Sequence, residues 1–147
     1  MGGTFDILHI GHEALLTQAS NIGDKILVGL TTDERARKGR NTDFLNSYAI
    51  RKRNLARLLE SLGLLDKFEI VPLNDDWGPS VIDEDFEAIV VSEETKATAD
   101  KINEIRSKEG KNELQIVVVP MINSADGQFI SSSRIRNNEI DSSGNLT

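Results

Sequence analysis

Met1-Gly-Gly-Thr-Phe-Asp-Ile-Leu-His-Ile-Gly-His-Glu-Ala14 opens the chain, and its reading governs everything that follows. Gly2 and Gly3 let a backbone approach a ligand closely or take φ values that a Cβ forbids. Thr4 adds a hydroxyl. His9 and His12, the only histidines present, flank Gly11 three positions apart, so on an incipient helical turn both rings face one side. The apolar run from Ala14 to Ile22 predicts a helix beginning near Gly11, whose free amides and positive dipole end attract an anion. Singly, a glycine pair reads as a turn and a histidine at a helix start as structural. The composite Gly-Gly-Thr-Phe-Asp-x-x-His-x-Gly-His is far more specific and predicts a polyphosphate at the mouth of a helix.

Composition sets the bounds. A chain of 147 residues that is 38% hydrophobic can bury one good core, which argues for a single domain. The net charge of −7, with no basic run, argues against general binding of nucleic acid or an anionic membrane, so any phosphate must be held locally. With no cysteine, disulfides, thiolate metal sites and cysteine catalysis are excluded. No signal peptide or long apolar segment is evident, and a cytoplasmic protein is expected, as a monomer or small homo-oligomer.

Along the chain, strands and helices alternate. Lys25 to Thr31 is an apolar run suited to a buried parallel strand. Thr31-Thr32-Asp33-Glu34 reads as a helix start. Beyond it Arg35, Arg37, Lys38 and Arg40 form a local basic cluster, either a solvated helix end or a cation that swings onto substrate phosphates. Ile50, Leu55, Leu58, Leu59 and Leu62 recur at helical spacing with Arg51, Lys52, Arg53 and Arg57 interleaved, predicting an amphipathic helix closed by Gly63. Phe68 to Leu73 is a further strand. A turn-rich loop then carries Trp77, the only tryptophan, as a packing anchor or a ligand contact. Ala88 to Val91 is the next strand, followed by Ser92-Glu93-Glu94-Thr95 and an amphipathic stretch to Lys108. That is a strand-to-helix crossover where ligands collect, or a plain N-cap. Leu114 to Val119 is the last strand. Ile130-Ser-Ser-Ser133, with Arg134 and Arg136 on a short helical pattern, suits a second phosphate cradle. The residues from Asn137 to Thr147 are rich in Asn, Ser, Asp and Gly and are expected to be loose. These elements predict a three-layer, Rossmann-like α/β fold with a mostly parallel five-stranded sheet. One feature departs from it: the strand that should feed Gly2 is missing.

The motif His9-Ile-Gly-His12 resembles the signature of the HxGH nucleotidylyltransferase superfamily. In the middle of the chain the likeness sharpens: Asp76-Trp-Gly-Pro79, Ala88-Ile-Val-Val-Ser-Glu-Glu-Thr95, Tyr48 before an arginine-bearing helix, and Ile130-Ser-Ser-Ser133 with Arg136 resemble the archaeal and eukaryotic branch of phosphopantetheine adenylyltransferase. That resemblance implies adenylyl transfer from ATP to 4′-phosphopantetheine with release of pyrophosphate, and Mg²⁺ carried mainly by the ATP phosphates. It implies contacts to ligand from Gly2, Gly3, Thr4, Phe5, His9, His12, Ser92, Glu93, Ser131, Ser132, Ser133 and Arg136, with His12, His9 and Lys38 in the catalytic roles.

The attacking group would itself be a phosphate, already anionic, so no general base is required. Catalysis would rest on alignment and on stabilising charge at the α phosphorus. A metal held by substrate needs few protein ligands. A nicotinamide-mononucleotide or glycerol-phosphate nucleotidylyltransferase shares the first motif but not Ser92-Glu-Glu-Thr95. A module that binds ATP without turnover is the alternative outside the enzymes, and a fragment of a class I tRNA synthetase fits poorly with so short and acidic a chain.

Overall fold

The computed structural model describes residues 1–37, 45–74, 86–93, 95–120, 122–128 and 130–147, leaving the side chains of residues 37, 132 and 133 outside the description. In chain order the elements are β1 (Gly2–Gly3), α1 (Ile10–Ile22), β2 (Ile26–Thr31), α2 (Asp33–Arg37), α3 (Tyr48–Ser61), a 3-10 turn (Leu65–Lys67), β3 (Phe68–Leu73), β4 (Ala88–Ser92), α4 (Lys96–Lys108), β5 (Gln115–Val119) and α5 (Ser132–Arg136). Trp77 and Lys38 lie outside the described residues.

The paired strands are parallel, and α1, α3 and α4 supply the crossovers that parallel pairing needs from β1 to β2, β2 to β3 and β4 to β5. They form two sheets, β1-β2-β3 and β4-β5. Ile26 pairs with Phe68 and Thr31 with Leu73 in the first sheet, and Ala88 pairs with Gln115 in the second. The strand expected to be missing ahead of the motif consists of the two glycines themselves. Gly2 pairs with Gly29 and Gly3 with Leu30, and the Met1 carbonyl accepts the Gly29 amide at 2.8 Å. The pair is therefore strand rather than turn. A Cβ on Gly2 would stand 3.1 Å from the Leu73 side chain and 3.3 Å from the Gly29 carbonyl. Because β1 is so short, five strands divide into three and two instead of forming one continuous sheet.

Helices cover both faces. Along β4 the alternation of side chains divides the core: Val90 belongs to the cluster that holds Leu16 and Ala19 of α1 and Leu55 and Leu59 of α3. Ile89 and Val91 pack with Ala99 and Ile102 of α4 and with Leu114. Helices on opposite faces of one strand make the three layers. α3 begins at Ser47, whose hydroxyl accepts the Ile50 amide, and ends where Gly63 takes φ +72°. There the Leu64 amide reaches the Leu59 carbonyl and the Gly63 amide the Glu60 carbonyl, the paired bonds of a Schellman cap. Space around Gly63 is open, so the positive φ alone calls for glycine.

The C-terminal segment departs from expectation. Residues 137–147 fold back on the domain: Ile140 is 1% exposed and bridges antiparallel to Leu146. The Asp141 carboxylate accepts the amides of Ser143 and Asn145. Asn, Asp, Ser and Gly are turn formers as well as solubilising residues, and one buried isoleucine is enough to dock them.

Candidate active site

The carboxyl ends of β1 and β2 deliver the motif to one place. After Gly3 the chain turns at Phe5, which has φ +49°. A bulky residue in that region costs about 1–3 kcal/mol. Burial of the ring, 4% exposed, and its contact with the His12 ring at 5.1 Å between centroids offset it. The turn sends Asp6 inward, where it too is buried.

His9 is the N-cap of α1: its Nδ1 accepts the Gly11 amide at 3.1 Å, and His12 Nδ1 accepts the His9 amide at 3.3 Å. The rings stack with centroids 3.9 Å apart. Because both Nδ1 atoms act as acceptors, each ring carries its proton on Nε2 and offers an N–H on the side away from the helix backbone. Burial pushes His9 down to about 4. Burial, and secondarily the neighbouring His9, push His12 down to about 3. Both rings are thus neutral donors near pH 7. Gly11 is explained by the same geometry, since a Cβ there would lie 2.9 Å from His9 Cε1 and Nδ1.

The expected free amides of this helix start are not free. The rings occupy the amides of His9 and Gly11, and the Ser142 carbonyl accepts the Ile10 amide at 3.1 Å. A helix whose cap residues are long enough to fold onto its own amides satisfies them locally. What the helix start turns toward the cavity is therefore the two rings.

Behind the motif sits Arg51, fully buried. Its NH1 donates to the Thr4 carbonyl at 3.0 Å and the Thr31 carbonyl at 2.7 Å. Its Nε donates to the Asn46 carbonyl, and its NH2 pairs with Asp33 at 2.9 Å. Asp33 in turn accepts the Tyr48 amide. One guanidinium therefore clamps the ends of β1 and β2 to the start of α3. In the sequence Arg51 reads as one of four interleaved cations. The signal that sets it apart is its spacing, four and eight residues before Leu55 and Leu59, on the buried stripe.

At α5 the Ser131 hydroxyl accepts the Arg134 amide at 3.2 Å, leaving Ser131 as the cap rather than a free cradle hydroxyl. The two arginines diverge. Arg134 is held by Asp126, by Glu139 at 2.9 Å and by the Ser124 hydroxyl at 2.8 Å. Arg136 instead reaches across to Asp6, with NH2 2.8 Å from Oδ2.

A cavity of about 1290 Å³ joins these parts. Gly2, Gly3, Thr4, Phe5, His9, His12, Ser92, Ser131 and Arg136, all expected from the sequence, line it, and so does Arg35 of the basic cluster. The same hollow runs on past the motif to Gly23, Ile26, Ala99 and Ile102, along the gap between the two sheets. Glu93 is exposed and does not line the cavity. Ser92 and Thr95 form a local turn, the Ser92 amide donating to Thr95 Oγ1 at 3.1 Å. The side chains of Ser132 and Ser133 lie outside the described residues. A second hollow, of about 640 Å³ and lined by Asp100, Glu104 and Glu113, lies on α4 away from the motif. Among the described residues no His/Asp/Glu cluster suited to a metal is assembled.

Parallel strands in open sheets, helices on both faces and a histidine pair at the strand ends define an α/β nucleotide-site architecture. The chain belongs to the cytidylyltransferase-like family, whose model matches residues 1–138. It is 44% identical over 140 aligned positions to the phosphopantetheine adenylyltransferase of Methanopyrus kandleri, covering 92% of this chain and 86% of that protein. To the phosphopantetheine adenylyltransferase of Methanosarcina acetivorans it is 45% identical over 149 positions, covering 99% of this chain and 93% of that protein. A crystal structure of a protein of unknown function from Archaeoglobus fulgidus superposes with a TM-score of 0.72 at 36% identity, over 83% of this chain and 97% of that one. Among the described residues no helix is long and apolar enough to cross a membrane.

Proposed function

We propose that this protein transfers the adenylyl group of ATP to 4′-phosphopantetheine, giving dephospho-coenzyme A and pyrophosphate, a step of coenzyme A synthesis. The names of the two archaeal relatives support the substrate pair. The chemistry is supported by one observation above others, the stacked pair of neutral histidines that line the cavity.

In this reaction an oxygen of the acceptor phosphate attacks the α phosphorus of ATP, and the bond from that phosphorus to the bridging oxygen breaks. Pyrophosphate leaves with the electron pair. The nucleophile is already anionic and no proton need move, so catalysis reduces to alignment and charge stabilisation. His12, and His9 beside it, donate to the oxygens of the α phosphate as charge builds there. A ring that cannot be protonated near neutrality keeps its geometry and donates without surrendering a proton. Arg136 and the start of α5 take the leaving pyrophosphate. Mg²⁺ bound with ATP would neutralise part of the phosphate charge, beside the contributions of Arg136 and Arg35. The basic cluster that includes Lys38 supplies a cation to the phosphates, with Arg35 as its described member on the cavity wall. Soluble substrates of this kind support a cytoplasmic location for the enzyme.

The test is pyrophosphate release by purified protein with Mg²⁺, ATP and 4′-phosphopantetheine, with CTP serving poorly. Consumption of nicotinamide mononucleotide or glycerol phosphate in its place overturns the choice of acceptor, and ATP binding without turnover overturns the enzymatic reading.

A further inference from the structure

Asp6 stands where three segments meet. Its Oδ1 accepts the Asn46 amide at 3.0 Å, which fixes the carboxylate against the entry to α3. Its Oδ2 lies 2.8 Å from Arg136 NH2. The contact is an ion pair and not a hydrogen bond: Asp6 Oδ2 and Arg136 Nε are both buried, and neither has a hydrogen-bond partner among the described residues. A buried donor without a partner is costly and rare. Here the donor belongs to a charged side chain on the cavity wall, beside Ser131. The contrast with Arg134 is direct: that guanidinium spends its donors on Asp126, Glu139 and Ser124 and has no place in the cavity lining.

We propose that Asp6 is a positioning residue for the pyrophosphate end of the site: it anchors Arg136 by charge and so holds the guanidinium on the cavity wall, where its exposed edge meets a phosphate oxygen. The inference rests on the adenylyl-transfer reading above. It makes a prediction whose sign is opposite to that of simple electrostatics. A carboxylate beside an anion site repels the anion, so by charge alone its removal tightens pyrophosphate binding. If Asp6 instead holds the arginine in place, removal weakens binding, because an asparagine at position 6 keeps the acceptor for Asn46 but can turn an NH₂ toward the guanidinium.

The experiment is calorimetric titration of the full chain with magnesium pyrophosphate, comparing wild type, Asp6→Asn, Arg136→Gln and the double variant. Asp6→Asn is expected to weaken binding about tenfold, the value of one charge-assisted hydrogen bond. It should raise KM for ATP and leave KM for phosphopantetheine unchanged, a split that a loss of general stability does not produce. The double variant should bind no more weakly than Arg136→Gln alone, because the two residues act as one unit. Tighter binding by Asp6→Asn, additive losses, or a wild type that does not bind pyrophosphate overturns the proposal. If Asp6→Asn does not fold, Asp6→Glu keeps the charge and displaces the guanidinium by a methylene: weakened binding supports positioning and unchanged binding overturns it. Calorimetry needs no acceptor, so a wild type that binds pyrophosphate yet fails to adenylylate phosphopantetheine refutes the assigned reaction without deciding the role of Asp6.

Discussion

The starts of α1 and α5 look alike in the sequence, each a short polar run ahead of a helix and each suited to phosphate, but they are wired differently. At α1 the amides are satisfied by the cap rings and by the Ser142 carbonyl, and what faces the cavity is a pair of neutral N–H donors. At α5 the residue that faces the cavity is a permanent cation, Arg136, tethered to a carboxylate. Neutral, rigid donors suit charge that exists only during bond exchange, because they gain little from the ground state. A fixed cation suits charge that is present before, during and after the reaction. On the proposed reaction, this difference gives α1 the transition state and α5 the standing charge of the triphosphate and its product.

The largest expected effect breaks the α1 side. His12→Ala should lower kcat and kcat/KM together by roughly 10²–10³-fold, about 3–4 kcal/mol by analogy with oxyanion-hole donors, and leave ATP binding nearly intact. A variant that keeps kcat while ATP affinity collapses would make the ring a ground-state ligand and erase the contrast with α5. Arg51→Met attacks the support beneath the motif. Breaking a buried charge pair costs about 3–5 kcal/mol, and this guanidinium also serves three carbonyls, so the midpoint of thermal or urea unfolding should fall steeply. A midpoint near wild type would show that Thr4 and Thr31 hold their places without the clamp.

Gly11→Ala is subtler, since the new methyl meets the His9 ring at 2.9 Å and must displace it. It should reduce kcat about tenfold or more, as a small misplacement of a reacting group can, with stability little changed; an unchanged kcat would remove His9 from the catalytic geometry. pH provides a gentler probe. His9 and His12 titrate near 4 and 3 in the native protein and near 6.5 when unfolded. The unfolded chain therefore binds more protons in this interval, and stability should be full above about pH 6.5 and decline as pH falls toward 3. Urea midpoints that stay level from pH 7 to 4.5 would mean the rings are not buried neutral. The smallest effect is expected at Lys108, 74% exposed and paired with Glu104 on α4. Its alanine variant should stay within about 0.5 kcal/mol of wild type, as an exposed pair does, and retain full turnover, whereas Lys38→Ala should weaken turnover.

How these regions were reachable from the residues differs in kind. The positions of β2 to β5 and of α1, α3 and α4 follow from apolar periodicity and from caps such as Ser47 and Gly63, all local in the chain. The histidine pair was legible because a three-residue spacing brings both rings to one side of a helix turn. Spacing did not reveal that the rings fold onto their own helix amides, since that depends on the extended backbone of His9 at the cap. Nor did composition reveal the docking of the C-terminal segment, because the same Asn, Asp, Ser and Gly residues serve turns and loose tails alike, and the burial of Ile140 is settled by what lies beside it.

The sequence by itself determined the parallel α/β architecture and the set of side chains gathered at the ends of β1, β2 and α5, because short-range pattern and motif spacing suffice for both. Only the tertiary structure decided which cations matter. Arg51, Arg134 and Arg136 are chemically identical in the sequence, and each is given its role by partners fixed elsewhere in the fold: main-chain carbonyls at strand ends for the first, two carboxylates for the second, and for the third Asp6, 130 positions away at the other end of the chain. A guanidinium's effect depends on what neutralises and orients it, and that is set by packing in three dimensions rather than by neighbours along the chain.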